Sequence, residues 1–211
     1  MATAEPKETP IPKSAPAVIF IRHGKTAMNH DDKNKDRIRG WNDIPLTAEG
    51  IKESKEVAKK LARYPITKFY SSDLGRAKKT AEIINVYHHV PIKLTQDLRP
   101  WHLGIYQGKP TADAIPEIEK FLRNEKKKVP EGESFEEFRT KTLLTVTSII
   151  KEALKKDSFI AITTHYRDLK LVQAWVTNGL PKDLSVDTDV MLTDGHGTSE
   201  IYVFPLDKYE S

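Results

Sequence analysis

The chain has 211 residues, 38% hydrophobic and 30% charged, enough for one core of ordinary domain size and without an apolar run of bilayer-spanning length. Its 34 basic and 30 acidic residues give a net charge of +4 with the signs interspersed, which does not point to nucleic acid. Cysteine is absent, so disulfides and thiolate metal sites are excluded, and the expectation is a cytoplasmic protein with neither a membrane nor a nucleic-acid partner.

Residues 1–16, with Pro6, Pro10, Pro12 and Pro16 among charges and small side chains, read as a flexible leader, and residues 17–211 as a single domain. Ala17 to Ile21 is an unbroken apolar run, the pattern of a central strand buried on both faces, and it delivers Arg22 and His23 at its carboxyl end. A helical period follows from Thr47 to Arg63, with Ile51, Ala58, Leu61 and Ala62 inward, and Ile66 to Tyr70 reads as a second strand. Asp73 is the expected N-cap of a helix to about Val86, striped by Leu74, Ala77, Ala81 and Ile84.

Pro91 to Leu94 reads as a third strand. The next stretch, with Pro100, Gly104, Gly108, Pro110, Pro116 and Pro130, reads as irregular apart from a helix over Glu117 to Arg123. Ser134 and Glu137 have the spacing of a capping box for a helix to about Lys156, with Phe135, Phe138, Val146, Ile149 and Ala153 inward. Phe159 to Thr163 is a fourth buried strand, ending at Thr164 and His165. A helix with Leu169, Val172 and Val176 follows, closed by Gly179, and Ser199 to Phe204 supplies a last strand.

This alternation predicts an α/β fold, a three-layer sandwich with a mostly parallel central sheet and helices on both faces. In such folds ligands bind beyond the carboxyl ends of the strands, where His23 and His165 both emerge. A phosphoryl acceptor must be nucleophilic near neutral pH and must sit where phosphate charge is offset. Neutral imidazole meets the first demand, and Arg22 and Arg76 meet the second through paired guanidinium hydrogen bonds. Asn29 adds an uncharged donor or merely caps the turn after His23. His88 and His89 are adjacent and point apart, and His30 lies in a polar stretch, so neither place reads as a metal site.

Four separated motifs occur in order: Arg22-His23-Gly24-Lys25-Thr26 with Asn29, Gly40-Trp41-Asn42-Asp43-Ile44-Pro45-Leu46-Thr47, Ser71-Ser72-Asp73-Leu74-Gly75-Arg76-Ala77, and Thr163-Thr164-His165. With these the sequence resembles the histidine phosphatase superfamily, which includes cofactor-dependent phosphoglycerate mutase, from about Val18 to Phe204. The resemblance makes His23 the phosphorylated nucleophile, and Arg22, Arg76 and His165 the rest of the phosphate pocket. It matches Asn29 to a phosphate or substrate contact and Arg39 to Thr47 to a substrate-facing loop. A protonated His165 would add positive charge where the transition state gathers negative charge.

The pattern departs from the family at one catalytic position. Relatives carry a glutamate in a Leu-Arg-Glu segment that protonates the leaving group, whereas this chain has Leu98-Arg99-Pro100-Trp101-His102 there, and Gln107-Gly108 in place of a nearby Glu-Gly pair. His102 is the first candidate for the missing proton donor, with His196 and Asp168 as others, although Asp168 equally reads as a helix N-cap. The expected function is metal-independent hydrolysis of a small phosphomonoester through phosphohistidine on His23, with no cofactor. The alternatives are a mutase of the phosphoglycerate type and a non-catalytic phosphate-binding module.

Overall fold

The computed structural model describes residues 11–13, 16–32, 34–193 and 197–209. The leader expected over residues 1–16 falls largely outside these residues, as does His196. Five strands, β1 (Ala17–Arg22), β2 (Ile66–Ser72), β3 (Ile92–Thr95), β4 (Phe159–Thr164) and β5 (Ile201–Val203), form one sheet in the order β3-β2-β4-β1-β5. The first four run parallel and β5 pairs antiparallel with β1. No helix among the described residues is long and apolar enough to cross a membrane.

Alternation along the strands divides the core into two. Val18 and Phe20 of β1, with Ile160 and Ile162 of β4, face the cluster that includes Phe135, Phe138, Leu169 and Trp175. Ala17, Ile19 and Ile21, with Phe159 and Ala161, face Val57, Ala58, Leu61, Ala81 and Ile84. Helices α1 (Ala48–Leu61) and α2 (Gly75–Ile84) therefore cover one face. The other is covered by α3 (Thr111–Arg123), α4 (Phe135–Lys156) and α5 (Tyr166–Thr177), which completes the three layers.

Local chemistry sets the helix ends. The Thr47 hydroxyl accepts from Gly50 N at 3.1 Å to start α1, and the Ser134/Glu137 capping box starts α4 as its spacing predicts. Gly179, at φ +80°, ends α5: its N–H donates to Val176 O and that of Leu180 to Trp175 O, a Schellman pair.

Four expectations differ. Asp73 does not cap α2 but accepts a bidentate pair from Arg99, at 2.7 and 2.6 Å, a stronger partner than an orphan amide. Ala62 is exposed and Val57 takes the inward position on α1. Helix α3 begins at Thr111 and carries Pro116 within it, because Ala114, Ile118, Phe121 and Leu122 bury a continuous face that outweighs the proline. The N-cap of α5 is His165, with Asp168 inside the first turn.

The β1/β4 register pairs Ile21 with Thr163 and Arg22 with Thr164. The next residue of each strand is a histidine, and His23 N donates to Thr164 O at 3.0 Å. Adjacent parallel strands thus bring His23 and His165 together at the sheet's carboxyl edge.

Candidate active site

The two imidazoles have ring centroids 5.2 Å apart, inclined by 60°, and each residue is 2% exposed. His23 Nδ1 lies 2.8 Å from Gly24 O, and since a carbonyl only accepts, Nδ1 carries the proton and Nε2 keeps its lone pair. Burial pushes the His23 pKa well below the ordinary histidine value, and Arg76 and Arg22 lower it further. His165 is lowered for the same reasons, burial first and then Arg76, and neither of its ring nitrogens has a hydrogen-bond partner among the described residues. The protein alone therefore disfavours the charged form of His165. An arriving phosphate dianion works in the opposite direction.

Arg76, from the first turn of α2, is 1% exposed. Its Nη1 donates to Asn42 O and its Nη2 to Gly40 O, both at 2.7 Å, which fixes the fork, while Nε has no partner among the described residues. Burial and the nearby Arg39 lower its pKa to about 10, so it stays charged at neutral pH, as does Arg22, also lowered to about 10 by burial and Arg39. The Arg22 guanidinium lies 5.3 Å over the Tyr166 ring.

The nucleophile turn is locked to the arginine helix through one hydroxyl. Gly24 N donates to Thr80 Oγ1 at 3.1 Å, and Thr80 Oγ1 donates to Arg76 O at 2.9 Å. Asn29 Oδ1 accepts from Thr26 N and Thr26 Oγ1, at 3.0 and 2.8 Å. The oxygen of Asn29 therefore closes the turn, and the residue also lines the cavity.

These residues floor a cavity of about 780 Å³, walled by Arg39 and Gly40 from the loop before α1, Ile115 and Pro116 from α3, and Tyr166 and Arg167 from α5. The loop's own tryptophan is support. Trp41 Nε1 donates to Pro100 O at 2.7 Å, Trp41 N donates to Gln107 Oε1 at 2.6 Å, and the Arg99 guanidinium lies 4.7 Å over its ring. Gln107 also explains Gly40, whose φ is +48° and where a Cβ would come within 2.1 Å of Gln107 Oε1.

The proton-donor expectation for His102 meets a correction of position. His102 is not on the cavity wall; its ring stands edge-on to Trp41, centroids 4.4 Å apart, because the segment turns at Pro100 to reach Trp41. Burial also lowers its pKa. Of the carboxylates on the wall, Asp36 accepts from Arg39 at 2.8 Å, Glu49 pairs with Lys25 at 2.9 Å and Glu53 accepts from Lys25 N at 2.9 Å, while Asp31 is exposed. Asp168 differs from them. It is 1% exposed, neither oxygen makes a hydrogen bond of good geometry among the described residues, and burial raises its pKa well above the ordinary value, past the opposing pull of Lys141. It is not among the residues lining the cavity, and in its ionised form it would favour the charge of Arg76.

Residues 18–193 match the model of the histidine phosphatase superfamily, branch 1. The chain belongs to this superfamily. A probable phosphoglycerate mutase of Yersinia pestis is 34% identical over 125 residues, 57% of this chain, and the match spans about half that relative's length, 56%. A mycobacterial glucosyl-3-phosphoglycerate phosphatase superposes with a TM-score of 0.68 at 20% identity, covering 90% of this chain and 89% of the other, a likeness of fold alone. A phosphoglycerate mutase from Thermus thermophilus gives a TM-score of 0.59 at 26% identity over 75% of this chain and 84% of its own.

Sequence reasoning passed over two cations and one hydroxyl. Arg39 was inside the recognised loop without a role of its own, and Arg167 stands two residues beyond His165, where the first turn after a central strand faces the ligand edge. Thr80, one helical turn after Arg76, carries no local signal, since its partner Gly24 is 56 residues away.

Proposed function

We propose that the protein is a phosphatase that hydrolyses a small phosphomonoester in two displacements through phosphohistidine on His23. The observation that carries this reading is the Nδ1 hydrogen bond to Gly24 O, which commits the Nε2 lone pair to the cavity side, beside His165 and the arginines. In the first step Nε2 forms a bond to phosphorus, the ester P–O bond breaks, and the departing alkoxide takes a proton. In the second, a water oxygen attacks phosphorus, the N–P bond breaks, and the water's proton leaves as inorganic phosphate forms. Arg22 and Arg76 offset the charge on the equatorial oxygens, with His165 and the Asn29 amide as further donors.

Pro100 cannot supply the first proton, and His102 is packed on Trp41. Asp31 on the cavity wall and Asp168, whose pKa burial raises well above the ordinary carboxylate value, are the carboxyl groups that remain as candidates among the described residues. The chemistry needs neither metal nor cofactor. The reading is tested by quenching labelled enzyme in alkali, in which phosphohistidine survives while acid destroys it. An acid-stable, base-labile adduct, or undiminished turnover in His23→Ala, removes His23 from the mechanism.

The mutase name of the Yersinia relative supports a second reading, phosphoryl transfer between hydroxyls of one phosphorylated acid. Isomerised phosphoglycerate appearing faster than free phosphate would put that reading first. A non-catalytic phosphate-binding module, suggested by Pro100, predicts binding of inorganic phosphate without release from any ester.

A further inference from the structure

The direction of the Arg76 guanidinium depends on a loop. Arg76 gives Nη1 and Nη2 to the carbonyls of Asn42 and Gly40, so its fork is set by the backbone on either side of Trp41. That backbone lies outside every helix and strand, and no ladder or helical turn fixes it. Gly40 lines the 780 Å³ cavity, whereas Trp41 does not, and its indole is engaged elsewhere.

Two cations lie over the Trp41 ring, Arg99 at 4.7 Å and Lys141 at 5.1 Å from its centroid. They come from different parts of the chain, Arg99 from the turn after β3 and Lys141 from α4. Each is itself anchored. Arg99 donates to both oxygens of Asp73, at 2.7 and 2.6 Å, and Lys141 Nζ lies 2.7 Å from both oxygens of Glu133. A lone, partly exposed ion pair such as Lys141 with Glu133 contributes little by itself. A cation pinned by a carboxylate over an indole, by contrast, gives that ring one place to sit. The bonds from Trp41 Nε1 to Pro100 O and from Trp41 N to Gln107 Oε1 fix its remaining freedom. Asp73 immediately precedes α2 and its Arg76, so the Arg99 contact also ties the loop to the start of that helix.

Neither Lys141 nor Arg99 lines the cavity, so neither reaches a bound phosphate directly. What they govern is where the Gly40 and Asn42 carbonyls stand. We propose that Lys141, together with Arg99, is a positioning residue: the two cations clasp Trp41 and so hold the carbonyls that aim Arg76 at the phosphate. The proposal rests on the phosphatase reading for the reaction that Arg76 serves, but not for the binding of phosphate.

The test is a double-mutant cycle on the full chain at pH 7, read by calorimetric binding of inorganic phosphate, with kcat and KM measured beside it. Lys141→Met keeps an unbranched stem and removes the charge, and the lost cation–π contact predicts a drop of about 3- to 30-fold in phosphate affinity. On a turned-over ester kcat should fall further than KM rises, because the fork matters most where charge gathers in the transition state. Lys141→Arg, which restores a cation over the ring, should return the affinity to within about threefold of the parent. In a Trp41→Leu background the effect of Lys141→Met should vanish. A field effect of the lost charge on the anion, or a general loosening of α4, would persist there. Melting curves establish that each variant is folded, and if Lys141→Met is not, Arg99→Met takes its place in the cycle with the same expected results. Unchanged phosphate affinity in the folded single variant, or a loss undiminished in the Trp41→Leu background, overturns the clasp. The expected cycle without phosphate release from any ester would leave the clasp standing and remove the phosphatase reading; release with no coupling in the cycle would do the reverse.

Discussion

Gly24→Ala tests whether the nucleophile is positioned by backbone packing. Gly24 needs no unusual φ, and what excludes a side chain is space: a Cβ there would lie 2.3 Å from Gly50 O and 2.8 Å from Ser54 Oγ. Neither neighbour yields easily, because Gly50 O belongs to the first turn of α1 and is held by Ser54 Oγ at 2.7 Å. The mirror contact is as close, with a Cβ on Gly50 falling 2.1 Å from Lys25 O, so the turn and the helix meet backbone to backbone. Relieving the alanine to 3.0 Å requires a relative shift of at least about 0.7 Å. Overpacking of this kind costs about 1–3 kcal/mol, or roughly 2–4 °C in melting temperature for each kcal/mol in a chain of this size. His23 moves with its neighbour, and a misplacement near 1 Å lowers turnover by about 100-fold. Thermal denaturation and steady-state kinetics on a turned-over phosphomonoester read both. The reasoning is wrong if the variant melts with the parent and keeps its kcat.

Thr80→Val keeps the shape of the link between Gly24 and Arg76 but leaves a buried N–H without an acceptor, so it should cost about 1–3 kcal/mol in denaturant titrations, with Thr80→Ser recovering most of the loss. Glu152, lowered to about 2 chiefly by the Tyr70 hydroxyl, contributes stability that is present above pH 4.5 and is lost as pH falls through 2. That loss is up to roughly 3 kcal/mol, and Tyr70→Phe should shrink it in unfolding midpoints compared at pH 5 and pH 3; an unchanged acid limb would contradict the assignment. For Asp168 the sign reverses: a raised pKa means stability held below the unfolded value and lost as pH rises towards the folded one. Asp168→Asn should therefore melt above the parent at pH 7 and approach it near pH 4, while slowing alkyl phosphates far more than nitrophenyl phosphate if Asp168 donates the proton.

Much of the scaffold was legible because its signals are local. A buried parallel strand announces itself as an apolar run, as at Ala17–Arg22 and Phe159–Thr164, and the Ser134/Glu137 box needs four residues to declare a helix start. The errors arose where a distant partner outbid a local one. Asp73 reads as an N-cap until Arg99 arrives from the far side of β3, and Pro116 reads as a breaker until the apolar face of α3 is seen to be buried.

The site divides along the same line, and the division bears on the proton donor. The positions of the histidines and Arg22 were readable because the sheet register carries strand ends to one edge, and that of Arg76 because it opens the helix after β2. Which side chain of a loop faces that edge is not a property of the loop's own sequence. His102 has suitable chemistry for a proton donor, yet Trp41, drawn to Pro100 O and flanked by Arg99 and Lys141, offers its ring a face to pack against away from the cavity. The residue that replaces the family glutamate is thus part of what moves His102 off the wall. Asp168 shows the converse. Its sequence context, three residues after a helix-opening histidine, suggests an ordinary first-turn acid that the helix dipole keeps ionised. Only the depth of burial, with no hydrogen bond of good geometry to either oxygen among the described residues, raises its pKa well above the ordinary carboxylate value.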